Sequence, residues 1–299
     1  MINTILVPLA GATLSESALP YACRLARQSG AQLVLVRAAP YTAESAMSTS
    51  DLHTVAPHLR VTLRDAELYL EAIQARLNVQ GLSSRAEALD TDAVGAILFT
   101  ARRSGADLIV MATSGRSGVR RALVGSVTQH VIHGTNLPVL LVHEGDEQHA
   151  AEELGPFRKI LVALDGTALA EAAITYLVGE PALLGKAAVT LLGVASSGGN
   201  GPREENLRSY LALTSQRFPK GDALDLQVVH GSAGEAILDA ARRGGVDLIV
   251  LATHGRIGLD RLIHGSTAYH VVHGASIPVL LLHGSAMTGA TEQERAGTR

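Results

Sequence analysis

The chain has 299 residues, of which 47% are hydrophobic and 18% are charged, so it can bury a core and does not have the composition of a disordered protein. Its length suits two ordinary domains better than one large one. A net charge of -3 argues against a protein that coats nucleic acid or an anionic membrane. No apolar run approaches the roughly 20 residues that a membrane-spanning helix needs.

The start of the chain goes directly into a strand pattern, without the basic segment or cleavage site of a signal peptide. The single cysteine, Cys23, cannot form an intrachain disulfide. We therefore expect a cytoplasmic protein that acts on neither nucleic acid nor membrane.

The first half of the chain alternates strand and helix patterns. In chain order, the patterns predict a strand at 4–9, a helix at 15–29, a strand at 32–38, a loop over 41–57, a helix at about 58–78, a strand at 84–88, a helix at 92–103, a strand at 108–112, a helix at about 124–133 and a strand at 138–143. The second half follows the same plan over 159–283, with a Gly-rich connection at 196–202. Strands joined by helices of this length predict parallel pairing with right-handed crossovers.

An internal repeat explains why the two halves share one plan. The segment that begins at Asp107 returns at Asp247, and the two stay in register without a gap as far as His143 and His283. We therefore predict an α/β protein made of two tandem doubly wound parallel-sheet domains, at 1–144 and 157–284, with a linker over 144–156 and a loose tail over 285–299.

A pair of glycine sites follows the fourth strand of each copy. The first copy reads Ala112-Thr-Ser-Gly115, then nine residues, then Gly125-Ser126, and the second reads Ala252-Thr-His-Gly255, then nine residues, then Gly265-Ser266. Glycines let successive N–H groups point at one anion, and a helix N-terminus favours negative charge, so the pattern is suited to a phosphate. The structural alternative is that these residues only end a strand and cap a helix.

This glycine pattern, together with an Asp at the end of the first strand of the second copy, resembles the nucleotide-binding branch of the universal stress protein family. The resemblance covers nearly the whole chain and implies a Rossmann-like fold similar to that of the adenine nucleotide alpha hydrolases. It also implies ATP as the ligand, with Mg²⁺ as a possible companion, and a role as a nucleotide-dependent regulator of a stress response. In the second copy it places Asp165 by the ribose, the Val194 backbone by the adenine, and Ala252, Gly255, Gly265, Ser266 and Thr267 along the phosphates.

Two departures from the family pattern make the copies unequal. The first glycine of the pattern is Ala112 in one copy and Ala252 in the other, which narrows the approach of a phosphate. The first copy also has Ala10 where the second has Asp165. Loss of a charged hydrogen-bond acceptor typically weakens binding by about 1.5–3 kcal/mol, so we expect the second copy to be the nucleotide site and the first to be degenerate.

The resemblance further implies that the last strands, after Pro138 and Pro278, pair the two copies into an intrachain pseudo-dimer. Association of whole chains into a homodimer stays an open alternative, and the regulated client is not specified by the sequence.

Enzymatic activity is a second hypothesis. No catalytic triad and no Walker lysine motif occurs in the sequence, so we expect no dedicated activity. Asp165 alone could help to hold Mg²⁺, which supports at most slow ATP hydrolysis or autophosphorylation. A third hypothesis is a scaffold or ligand carrier without nucleotide. Histidines with helical spacing at His130 and His133, and at His270 and His273, suit a helix C-terminus better than a metal.

Overall fold

The computed structural model describes residues 1–39, 63–113, 125–143, 155–195, 204–219, 221, 223–253 and 266–283. The first copy contains β1 (Thr4–Pro8), α1 (Thr13–Glu16), α2 (Ala18–Ser29), β2 (Gln32–Ala38), α3 (Leu63–Val79), β3 (Ser84–Leu89), α4 (Ala93–Ser104), β4 (Leu108–Thr113), α5 (Ser126–Gly134) and β5 (Val139–His143). The second contains β6 (Lys159–Leu164), α6 (Ala168–Gly179), α7 (Pro181–Leu184), β7 (Ala188–Ala195), α8 (Glu204–Ser215), β8 (Leu224–His230), α9 (Ala233–Gly244), β9 (Leu248–Thr253), α10 (Ser266–Gly274) and β10 (Val279–His283).

The strands form one continuous sheet in the order β3-β2-β1-β4-β5-β10-β9-β6-β7-β8. Neighbouring strands within each copy are parallel, which confirms the predicted α/β class. The copies meet where β5 and β10 pair antiparallel, with Leu140 opposite Leu280. This is the pairing of last strands that the family resemblance implies, and it gives the sheet an approximate twofold centre.

Most predicted boundaries hold to within a residue or two, but the first helix is divided. The predicted helix at 15–29 becomes α1 and α2, which meet at Ser17, and the Ser17 hydroxyl donates to the Leu14 carbonyl over 2.7 Å. Pro20 lies in the first turn of α2, where a missing N–H is tolerated. The predicted loops at 41–57 and 196–202, the start of the helix at 58, most of the linker and the tail lie outside the described residues.

The core lies on both faces of the sheet, and each layer includes residues from both copies. All five residues of β5 and all five of β10 are buried. Their Val and Leu side chains alternate between the two layers, as expected for central strands covered on both sides. The copies are therefore joined by a shared core as well as by main-chain hydrogen bonds.

A second contact joins the copies on the α2 side of the sheet. The guanidinium of Arg24 stacks on the ring of Phe157, 3.6 Å from its centroid, and both side chains are buried. The Ile2 N–H donates to Glu180 Oε2 over 2.9 Å. These contacts fix the orientation of the two copies, so the carboxyl edges of their strands have defined positions.

Candidate functional site

A cavity opens at the carboxyl edge of the sheet in the second copy, where β6, β7 and β9 end. Its volume is about 220 Å³. Parallel doubly wound sheets bind ligands at this edge, because strands end there and helices begin. The described residues that line it are Ala163, Leu164, Asp165, Thr167, Leu169, Ala170, Leu192, Val194, Ala233, Ile237, Leu251, Ala252, Thr267 and Ala268.

Four residues predicted from the sequence meet at this cavity. Asp165 follows β6, Val194 lies near the end of β7, Ala252 lies near the end of β9, and Thr267 lies in the first turn of α10. Ser266 begins α10 with an exposed side chain. The predicted Gly255 and Gly265 lie outside the described residues.

The carboxylate of Asp165 already supports the local turn. Its Oδ1 accepts hydrogen bonds from the Thr167 N–H, at 3.0 Å, and from the Thr167 hydroxyl, at 2.7 Å. Thr167 in turn caps α6, because its Oγ1 accepts from the Ala170 N–H over 3.2 Å. Both bonds use the same carboxylate oxygen, so the second oxygen can accept from a hydroxyl of a ligand. The structural and the ligand-binding interpretations of Asp165 are therefore compatible.

The main chain of Val194 faces the gap beyond the end of β6. Main-chain groups of successive residues in a parallel strand point to alternate neighbours. The Ala188 N–H donates to the Arg158 carbonyl at the start of β6, so residues an even number of positions later also face β6. Pairing of the two strands ends with Leu164 opposite Gly193. That last pair uses the Val194 N–H, so the Val194 carbonyl is the main-chain group that lies beyond the ladder and is directed toward the cavity.

The walls of the cavity are mostly apolar. Ile237 from α9 and Leu251 from β9 are buried, and Ala268 in α10 is buried beside Thr267. Sequence reasoning missed Ile237 and Leu169, because their helical pattern is that of ordinary core residues. It also gave no separate role to Thr167, although a threonine just before a helix is a typical N-cap. An apolar cavity with a few convergent polar groups is typical of a small-molecule site.

The first copy places different side chains at the matching positions. Its β4 ends with Ala112 and Thr113, and Gly125 is the N-cap of α5 without a side-chain cap hydrogen bond. Ser126 begins α5 and is exposed, whereas the predicted Gly115 lies outside the described residues. The copies can be aligned by the first residues of their strands and helices. In this alignment, Asp165 corresponds to Ala10, Thr167 to Ala12 and Thr267 to Val127, so each polar residue of the second copy is matched by an apolar one in the first.

The histidines do not form a metal centre in the described part of the chain. The Nδ1 of His130 lies 2.7 Å from the Ser126 carbonyl, and the Nδ1 of His273 lies 2.7 Å from the Tyr269 carbonyl, so each ring can donate to its own helix. No group of three or more His, Cys, Asp or Glu side chains there is arranged to hold a metal ion.

Two buried histidines lie instead at the junction of the copies. The Nε2–H of His143 donates to the Val272 carbonyl of the other copy over 2.8 Å. The Nδ1 of His283 lies 3.3 Å from the Thr253 hydroxyl. Burial, and less strongly the nearby His133, lowers the pKa of His283 to about 4, so its ring is neutral at pH 7.

None of the helices described is both long and apolar enough to cross a membrane.

A profile of the Universal stress protein family matches residues 1–143 and 156–283. A universal stress protein of Mycobacterium bovis is 27% identical over 187 residues, which are 59% of this chain and 61% of that protein. The match thus spans about three fifths of that relative's length. A universal stress protein of Synechocystis is 21% identical over 296 residues, covering 93% of this chain and 99% of the relative.

The fold is also similar to that of a solved protein. The crystal structure of a universal stress protein from Archaeoglobus fulgidus aligns with a TM-score of 0.74 at 20% sequence identity. The alignment covers 95% of this chain and 99% of that one. Both copies, and their arrangement in one chain, therefore have a counterpart of known structure.

Proposed function

The chain belongs to the universal stress protein family, with two copies of the family domain in tandem, and from this premise we propose that the second copy binds an adenine nucleotide. The observation that carries the proposal is the meeting of Asp165, Val194 and Thr267 on one apolar cavity at the carboxyl edge of the sheet. These groups come from three separate segments of the chain, so their convergence is not a property of a single motif.

The cavity suits the parts of a nucleotide in different places. Leu192, Ile237 and Leu251 offer apolar surface to a flat base, and the carbonyl of Val194 offers a hydrogen-bond acceptor at its edge. Asp165 can accept from ribose hydroxyls. Thr267 and the N-terminus of α10 lie where a phosphate would gain hydrogen bonds and a favourable helix dipole. We assign Ala252, Gly255, Gly265 and Ser266 to the same phosphate end.

The size of the cavity agrees with the nucleoside part of such a ligand. Its 220 Å³ is slightly below the roughly 300–1,000 Å³ of typical small-molecule sites. Phosphates would then extend toward the start of α10. Asp165 is the one carboxylate among the described lining residues, so Mg²⁺ would be held mainly by the phosphates, as this ion usually is.

With ATP in the second copy, the protein would work as a nucleotide-dependent regulator in a stress response. The described cavity residues include no histidine, lysine or arginine that could act as a base or a phosphate clamp in fast phosphoryl transfer. Slow hydrolysis or autophosphorylation would require Asp165, so turnover of radiolabelled ATP that disappears in Asp165→Ala would assign the protein to that class.

Calorimetric titration with ATP tests the proposal. Asp165→Asn keeps an oxygen that can accept from Thr167 but removes the charge, and we expect ATP affinity to fall about ten- to a hundredfold, or about 1.5–3 kcal/mol. Asp225→Asn is the matched control, because this exposed acid lies in the edge strand β8, away from the cavity. Absence of ATP binding by the unmodified chain at millimolar concentration would refute the proposal.

A further inference from the structure

An arginine of the first copy lies where the second copy has a glycine. Ile5 pairs with Leu33 in β1 and β2, and Ile160 pairs with Val189 in β6 and β7. Leu33 and Val189 are therefore equivalent, and so are Arg37 and Gly193, which each follow four residues later. After β1, the first copy has Ala10 in place of the carboxylate of Asp165. Near the end of β2, it has the positively charged Arg37 in place of Gly193.

The guanidinium of Arg37 fills the space beside the turn after β1. Gly11 in this turn and Gly166 in the matching turn have nearly the same φ, +79° and +82°. A methyl group added to Gly11 would overlap the guanidinium of Arg37. A methyl group added to Gly166 would meet no atom of the described residues within 4 Å. The same position is therefore covered in the first copy and open in the second.

Side chains of α1 and α3 hold Arg37 in this position. The guanidinium carbon lies 4.6 Å from the centroid of the Tyr69 ring, a cation–π contact. The Tyr69 hydroxyl donates to Glu16 Oε1 over 2.9 Å, and Arg76 pairs with Glu16 Oε2 over 3.0 Å. Burial, and then the hydrogen bond to Glu16, raises the pKa of Tyr69 to about 12, so the hydroxyl stays a donor.

We infer that Arg37 closes the nucleotide cleft of the first copy, so that the chain holds a single nucleotide. The inference rests on the proposed function of the second copy. A guanidinium offers only donors, so it cannot replace the acid that accepts from sugar hydroxyls. It also stands beside the residue that would carry the acid. A carboxylate restored at position 10 would therefore form an ion pair with Arg37 and remain unavailable to a ribose.

Equilibrium dialysis with radiolabelled ATP, carried out on full-length chains, tests this closure by stoichiometry. One variant restores the polar residues of the second copy with Ala10→Asp, Ala12→Thr and Val127→Thr, and keeps Arg37. The other variant carries the same three changes together with Arg37→Gly, which matches Gly193. A parallel version with Arg37→Ala guards against loss of folding, and thermal unfolding of each chain checks that it is folded.

The expected result is one nucleotide per chain for the variant that keeps Arg37, and two for a folded variant that lacks it. Equal stoichiometry in the two variants, whether one or two, would overturn the inference. This test can fail independently of the proposed function. The inference depends on whether removal of Arg37 adds one bound nucleotide, whereas the proposed function depends on whether the unmodified chain binds ATP. If the unmodified chain binds none, a gain from none to one on removal of Arg37 would still support closure, and no gain would refute it.

Discussion

The two copies agree in their buried strands and differ in the turns at the strand ends. Leu140 and Leu280 are both fully buried, face each other across the centre of the sheet and belong to the same core layer. Asp165 and Ala10 stand at matching places in the two turns, and one is charged whereas the other is apolar. The two copies therefore share the residues that pack the core and differ in the residues that line the proposed nucleotide site.

The turn after β1 in the first copy is stabilised by hydrogen bonds although it lacks an acid. The Ala10 N–H donates to the Ser15 hydroxyl over 2.9 Å, and this hydroxyl donates to the Ala12 carbonyl over 2.8 Å. In the second copy Asp165 and Thr167 provide the corresponding bonds. A turn of the same shape is therefore stabilised by two different sets of side chains, and only one set includes an acid.

The largest expected effect concerns the part that the copies share. Leu140→Ala and Leu280→Ala should each lower the free energy of unfolding by about 2–5 kcal/mol, because each removes a fully buried side chain from the common core. Denaturant unfolding measures both losses. Leu213→Ala, at a side chain that is 66% exposed, is the control and should change stability by less than about 0.5 kcal/mol. A large loss in one copy alone would break the symmetry claimed for the core.

The next effect concerns His283, the buried histidine that ends β10. The pKa of His283 is about 4 in the folded chain instead of 6.5, so the unfolded chain binds more protons between these values. Stability from the neutral ring is complete above pH 6.5 and is lost as the pH falls toward 4, by up to about 3 kcal/mol.

Denaturant unfolding across this pH range, compared between the natural chain and His283→Gln, isolates the contribution of the ring. The variant should lose less stability between pH 6.5 and 4 than the natural chain. An unchanged slope in His283→Gln would contradict the lowered pKa.

The smallest effect concerns helix caps. Thr167 caps α6, so Thr167→Ala should cost about 1 kcal/mol of stability. Ala12 is the N-cap of α1 with a similarly extended backbone and no side-chain cap, so Ala12→Thr should add up to about 1 kcal/mol. Thermal unfolding of both variants should give shifts of opposite sign. Shifts of the same sign would show that the two turns are not equivalent.

Much of the fold follows from local sequence, because repeated apolar strands separated by helices allow few arrangements. The position of Asp165 relative to Val194 and Ala252 was also predictable, since parallel strands bring their carboxyl ends to one edge. The covering of the first cleft was not. It depends on Arg37 meeting Gly11 and Tyr69, which lie on separate elements, and a lone arginine at a strand end gives no sign of such a contact.

Photoaffinity labelling with an azido analogue of ATP, followed by peptide mapping, tests the inequality of the two copies most directly. We expect the labelled peptides to come from the second copy, at residues near the ends of β6, β7 and β9, and excess ATP to suppress the labelling. Labelling of the first copy to the same extent would contradict the central claim that one fold has been kept twice and one nucleotide site has been kept once.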